Sequence, residues 1–323
     1  MSSAEGERLP AIVAIVGPTA SGKSGAAVAV AKRLGGEIVS ADSMQIYRGF
    51  DIGTAKPTAE ERGGVAHHMI DVADPREPWS APKYRNEAMG AIEGIRGRGK
   101  RPILCGGSGL YLEALMRPLG FASHRGDPEA RAELESMLNE PIGPQQLRAM
   151  LDAIDPESAA RIPIGDARRT IRAIEVYRAT GKTMTECRKE DSRKAGGIRT
   201  IRFGIAWDRA KLYARIEARV EDMMRRGWVE ETRRLSEAGA FRTGTAVQAL
   251  GYSEILRALR GEQAVPDAVD AIKRKTRNYA KRQLTWFRRD GEIEWIDADA
   301  MTPDRIAETI IERIIRHDAG RCD

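Results

Sequence analysis

Residues 17–24, GPTASGKS, follow the order G-x-x-x-x-G-K-[ST]. In that spacing glycines let backbone N–H groups converge on an anion, the lysine neutralises phosphate charge, and the terminal hydroxyl can hold Mg²⁺. Gly17, Pro18, Thr19, Ala20, Ser21, Gly22, Lys23 and Ser24 are therefore candidate diphosphate- or nucleotide-binding residues, with Ser24 the candidate Mg²⁺ ligand. The motif specifies a phosphate-bearing ligand and no reaction, since kinases, ATPases and GTPases share it. Further on, EIVSAD ends in Asp42, a carboxylate able to accept a proton or take Mg²⁺ if it reaches the same sheet edge. Other metal chemistry is not indicated. Cys105, Cys187 and Cys322 form no pair at ligand spacing, and His67, His68, His124 and His317 match no metal motif. Adjacent residues on a strand point to opposite faces, so His67 and His68 are assigned packing roles.

These residues need elements to position them. The runs AIVAIVG, EIVSAD, HHMIDV and RPILCGG alternate with helical stretches, the pattern of a parallel sheet with crossover helices. The fold class is α/β: a P-loop NTPase-like parallel sheet flanked by helices, with a helical insertion domain. Strand-like runs vanish over the insertion, where helices open at Asp127-Pro128 and Asp155-Pro156. The expected division is a catalytic core at 1–121 and 198–323 and an insertion at 122–197. TIRFGIAW is the next strand. Leu212, Ile216, Val220 and Met223 then recur at helical spacing as a core-facing stripe. A helix is expected over 266–289, a strand at EIEWIDA and a last helix over 303–316.

Of the 323 residues, 41% are hydrophobic and 31% charged, as in a globular protein. No apolar stretch approaches the ~20 residues of a membrane span, and the N-terminus lacks a signal-like apolar core. No membrane partner and a cytoplasmic location are expected. The net charge of +6 matters only where it concentrates. Residues 273–289 carry Lys273, Arg274, Lys275, Arg277, Lys281, Arg282, Arg288 and Arg289 with no acidic residue, interleaved with Tyr279, Trp286 and Phe287. That composition suits an RNA-backbone clamp, although the aromatics equally fit core positions.

ADSMQIYRGFDIGTAKPT following GPTASGKS closely resembles the bacterial tRNA dimethylallyltransferase (tRNA isopentenyltransferase) family. HHMIDV, GGSGLY, the segment at 169–183, RIEARV, ALGY and YAKRQLTWFR continue the resemblance in the family's order, from Ala11 to about Arg288. It implies transfer of a dimethylallyl group from dimethylallyl diphosphate to the exocyclic N6 amine of the adenosine 3′ of a tRNA anticodon, position 37, with diphosphate leaving.

By resemblance, Asp42 is the general base, Ser108 helps position the reacting amine where many members have threonine, and Arg219 reaches the diphosphate. Asp42, Ser43, Met44 and Gln45 contact the flipped adenosine, with Gln45 suited to an adenine edge, and Ser108 lies beside them. Thr54 and Lys56 help shape the nucleoside site. Arg131, Arg168, Arg169, Thr170, Ile171 and Arg172 match tRNA-contacting positions, Arg168 standing where the family usually has glutamine. Gln248, Ala249, Leu250, Gly251, Tyr252 and Ser253 form the ALGY block, with further RNA contacts expected. Mg²⁺ is the only cofactor implied, the partners are tRNA and dimethylallyl diphosphate, and a monomer is expected. A metabolite kinase, an RNA-dependent NTPase and a transferase acting on free AMP, ADP or ATP are the competing readings. The basic insertion argues against the last, because a mononucleotide needs no extended cationic surface.

Overall fold

The computed structural model describes residues 11–116, 128–193, 198–242 and 244–319. It divides into two compact units, Met1–Glu113 with Ile198–Asp323, and Ala114–Gly197. The first unit carries β1 (Ile12–Val16), α1 (Lys23–Leu34), β2 (Glu37–Ala41), α2 (Ala59–Arg62), β3 (His67–His68), α3 (Ala81–Gly97) and β4 (Pro102–Gly106), and α4 (Gly109–Met116) runs from the first unit into the second. Helices α5 (Pro128–Met137), α6 (Gly143–Ile154), α7 (Pro156–Arg161), α8 (Ala167–Thr180) and α9 (Met184–Arg193) follow in the second unit. The first unit resumes with β5 (Thr200–Ala206), α10 (Arg209–Arg225), α11 (Trp228–Glu237), a 3₁₀ turn (Ala246–Gln248), α12 (Tyr252–Leu259), α13 (Val265–Phe287), β6 (Ile293–Asp297) and α14 (Pro303–Ala319).

Strands β1 and β4 are buried on both faces, which is why they read as unbroken apolar runs and not as alternating ones. The sheet order is β3-β2-β4-β1-β5-β6, and every pairing is parallel. Val16 and Ala41 both register with Gly106, so β1, β4 and β2 end level. A parallel sheet binds ligands beyond such a carboxyl edge. Beneath it, Val13, Ile15, Ile103, Phe203 and Ile205 pack with residues of α1 and α14. The stripe read from the sequence is the buried face of α10: Leu212, Ile216, Val220 and Met223. Among the described residues no helix is long and apolar enough to cross a membrane.

HHMIDV departs from its strand expectation. Only His67 and His68 pair with β2, because Met69 and Asp71 adopt φ of 63° and 59° and turn the chain away. That turn brings Asp71 Oδ1 to Lys56 Nζ at 2.5 Å, and the same ammonium meets Asp51 at 2.6 Å and donates to the Tyr47 carbonyl at 2.9 Å. At the opposite end of β2, buried Glu37 meets Arg98, Lys100 and His68. The hydrogen bond from Arg98 leads in holding its carboxyl down at about 2, against the opposing pull of burial.

In the second unit, Leu134, Leu147, Leu151, Ile171 and Ile174 form the core. Asp155 caps α7 by accepting from Ser158 N–H at 3.0 Å and accepts the Thr185 hydroxyl of α9 at 2.7 Å. Helical periodicity divides α8: Arg168 and Arg169 are exposed, whereas Thr170 and Ile171 are buried. Of the positions expected to contact RNA, Thr170 and Ile171 thus turn their side chains to the core face.

The loop after β2 is pinned by one side chain of α11. Glu231, 1% exposed, accepts from Asp51, Ile52 and Gly53 N–H groups at 3.0, 2.7 and 3.0 Å and from the Tyr252 hydroxyl at 2.7 Å. Removing it strands four donors at once. Glu231→Ala should therefore lower unfolding free energy by on the order of 3 kcal/mol, and a denaturation midpoint equal to the parent's would contradict this account.

Candidate active site

The phosphate loop turns on Gly22, whose φ of 87° permits the left-handed entry into α1. Ala20 holds φ of 63° without that freedom. Two of the loop's carbonyls are taken by side chains from outside the loop. Arg215 Nε donates to Ala20 O at 2.9 Å, Trp207 Nε1 donates to Ser21 O at 2.9 Å, and the Arg215 guanidinium lies 4.2 Å over the Trp207 ring. Lys23 Nζ donates to Pro18 O at 3.1 Å. Gln283 of α13 accepts from Thr19 N–H at 2.9 Å and donates to Gly107 O at 2.9 Å, joining the loop to the end of β4.

A cavity of about 280 Å³ opens at this edge. Thr19, Ala20, Lys23, Ser24 and Arg219 line it together with Asp42, Ser43, Met44 and Gln45. Gly17, Pro18, Ser21 and Gly22 shape the loop without lining that space. Desolvation lowers the Lys23 pKa, and it likewise leads in lowering that of Arg219, although a guanidinium stays charged. Burial pushes the Cys105 thiol up to about 11, so it is a neutral wall residue.

Asp42 Oδ1 accepts from Met44 and Gln45 N–H groups at 2.9 and 3.3 Å, which fixes the carboxylate at the strand end. Gln45 Nε2 donates to Thr54 O and Ala55 O, both at 3.2 Å, and its Oε1 accepts from Ser40 at 3.3 Å. Both amide donors are thus spent inside the protein, unlike the adenine-edge donor read from the sequence. Ser108 Oγ accepts from Ser43 N–H at 2.9 Å and donates to Ser43 Oγ at 3.2 Å. It stands one residue behind the cavity surface. Tyr279 shares a hydrogen bond with Ser108 and lines the cavity; burial, then the Asp42 charge, raises its pKa.

Other expected positions separate. Gln248, Ala249 and Leu250 line the cavity. Tyr252, expected to contact RNA, is buried at 1% exposure with its hydroxyl donating to Glu231. Gly251 packs on Trp228, and Ser253 donates to Glu254 at 3.0 Å. Thr54 lines the cavity, and so does His67, against its packing assignment. In the second unit, Arg131 meets Glu135 at 2.8 Å and Glu175 at 3.5 Å, Arg172 meets Glu175 at 3.4 Å, and Arg169 meets Asp166 at 3.4 Å. The basic run on α13 is not uniformly cationic, because Lys273, Lys275 and Arg277 pair with Glu221, Glu254 and Glu217.

Sequence reasoning missed Gln283, Arg215, Trp207 and Glu231. The first two sit inside the YAKRQLTWFR and RIEARV blocks, which was their one visible signal. Among the described residues no group of three His, Cys, Asp or Glu side chains could hold a metal. The oxygen donors facing the cavity, Asp42 and Ser24, suit an Mg²⁺ shared with phosphate oxygens and water.

A family profile described as IPP transferase matches residues 45–290. The tRNA dimethylallyltransferase of Carboxydothermus hydrogenoformans is 45% identical over 300 residues, 93% of this chain and 96% of that protein. The full-length tRNA isopentenylpyrophosphate transferase of Bacillus halodurans superposes with a TM-score of 0.69 and 39% identity, covering 97% of this chain and 99% of that one. A eukaryotic dimethylallyltransferase captured acting on tRNA gives a TM-score of 0.76 and 29% identity over 90% of this chain and 74% of that one. The profile takes in Ser108, Arg219 and Gln283 and the whole helical unit, and the relatives extend the match across the phosphate loop: the chain belongs to the IPP transferase family.

Proposed function

We propose that this chain transfers the dimethylallyl group of dimethylallyl diphosphate to the N6 amine of the adenosine 3′ of a tRNA anticodon, position 37, releasing diphosphate. The observation that carries this reading is the shared cavity, where Lys23, Ser24 and Arg219 face the same space as Asp42. A leaving anion and a proton acceptor need to meet there.

The amine lone pair forms the new bond to the allylic carbon while the carbon–oxygen bond breaks, and that electron pair leaves with diphosphate. An exocyclic adenine amine is a weak nucleophile because its lone pair is delocalised, so removing its proton during attack lowers the barrier. Asp42 takes that proton. Lys23, Arg219 and the loop amides stabilise the charge that grows on the leaving group. Ser24 would hold Mg²⁺, which supplies further neutralisation of the diphosphate. Ser108 is a positioning residue that fixes Ser43 beside Asp42. The base leaves the anticodon stack to enter the cavity, at a cost of a few kcal/mol, with Gln248 and Leu250 on the lining. Arg131, Arg168, Arg169 and Arg172 take the RNA backbone. The carboxylate partners of Arg131, Arg169 and Arg172 hold those guanidiniums in place while leaving N–H groups for phosphate.

Purified protein with Mg²⁺, labelled dimethylallyl diphosphate and unmodified tRNA should place label on the adenosine at 37 and not on guanosine there. Label on AMP or ATP alone, or ATP turnover without prenyl transfer, would replace this reading. Asp42→Ala should keep tRNA binding and lose about 10²- to 10⁴-fold in turnover; turnover within twofold of the parent rejects Asp42 as the base. Replacing Arg169 and Arg172 by alanine should weaken tRNA binding and flatten its salt dependence without changing the KM for dimethylallyl diphosphate. An unaltered salt slope would remove these residues from the RNA contact.

A further inference from the structure

The chain leaving β1 becomes the phosphate loop, and the chain leaving β5 runs beside it, since Val16 registers with Gly204. Trp207 therefore falls against the loop directly after β5 ends at Ala206, and Arg215 reaches the loop from the second turn of α10. Neither is among the residues lining the cavity, and the reaction as described uses neither. Arg215 is exposed, so its side chain fills no place in the core. Yet both hydrogen bonds end on loop carbonyls, Trp207 Nε1–H on Ser21 O and Arg215 Nε–H on Ala20 O, each at 2.9 Å. The guanidinium lies 4.2 Å over the indole, which joins the two donors into one brace.

A trans peptide points its C=O and N–H in opposite directions. With Ala20 O held outward, Ser21 N–H turns inward and donates to Pro18 O at 3.3 Å, which closes the loop. With Ser21 O held outward, Gly22 N–H turns inward as well. At the start of α1 that donor has no helical partner, and an anion in the loop is the group it can meet. Ala20 between them holds a φ of 63°, a conformation that alanine keeps only where its surroundings impose it. Its side chain packs among Leu212, Ile216 and Ala280.

We infer that Trp207 and Arg215 are positioning residues for the departing diphosphate: gripping two carbonyls from outside the loop, they aim the Gly22 amide at the anion. This deepens the transferase reading and rests on it for the identity of that anion. Arg219, one turn beyond Arg215 on α10, lines the cavity. One helix thus sets both a backbone donor and a side-chain cation that receive the leaving charge.

The test measures binding of inorganic diphosphate with Mg²⁺ to the parent, Trp207→Phe and Arg215→Met, together with binding of an anticodon stem–loop and the thermal midpoint without ligand. Trp207→Phe keeps an aromatic ring under the guanidinium, alters no charge and removes the indole N–H. It should weaken diphosphate binding by about 3- to 10-fold, the contribution of one hydrogen bond. Arg215→Met should weaken it by about 10- to 100-fold, because a charged donor is lost. Stem–loop affinity should stay within twofold of the parent in both. A merely structural role would lower the thermal midpoint and leave diphosphate affinity within twofold of the parent, and that result overturns the inference. So does an equal loss of diphosphate and stem–loop affinity. If Trp207→Phe does not fold, the same criteria apply to Arg215→Met. Diphosphate binding is read without prenyl transfer, so failure of the brace and failure of the transferase reading give different results.

Discussion

A carboxylate with no cation beside it organises the site. Among the described residues Glu231 has no lysine or arginine at ion-pair distance, and four hydrogen bonds compensate its burial. Charge-assisted bonds of this kind are among the stronger ones a protein makes. Three of them fix consecutive backbone N–H groups at Asp51, Ile52 and Gly53, and the carbonyls just beyond, Thr54 O and Ala55 O, accept from Gln45. Gln45 in turn follows directly on the turn that Asp42 caps. The position of Asp42 thus depends on a residue of α11 that does not line the cavity. Gly53 completes the arrangement, since a Cβ there would fall 2.1 Å from Trp228 Nε1.

The phosphate loop obeys a complementary constraint. A loop that turns its N–H groups toward an anion must turn carbonyls elsewhere, and buried carbonyls need donors. Arg215, Trp207 and Lys23 supply them at Ala20, Ser21 and Pro18. Ala20 remains in a left-handed conformation that only surrounding structure can hold. The two arginines of α10 near the loop therefore act differently. Arg215 shapes the backbone from outside, while Arg219 reaches the cavity itself.

What could be read from the sequence was what is local. The apolar runs of β1 and β4, the stripe on α10 and the glycine-lysine loop carry their reasons within a few residues, and each stands where expected. HHMIDV looked like a full strand because its composition suits one; the left-handed turns at Met69 and Asp71, which bring Asp71 to Lys56, leave no mark on that composition. Tyr252 and Thr170 were named with their motif neighbours, but burial selects single residues within a motif. Gln283 reaches Thr19 across 264 positions, and no pattern of composition reports such a contact. The basic run on α13 was visible as a run, whereas its acidic partners lie on α10 and α12.

The strand order has a metric consequence. β4 lies between β1, which feeds the phosphate loop, and β2, which ends at Asp42, and all three finish in register. Two interstrand gaps of about 4.8 Å make a ruler of about 10 Å. Its middle mark is Gly106, where any side chain would strike the Ala41 backbone, 2.2 Å from a Cβ there. The hydrogen-bonded spacing of the sheet, set when the strands pair, thus fixes how far the start of the phosphate loop stands from Asp42.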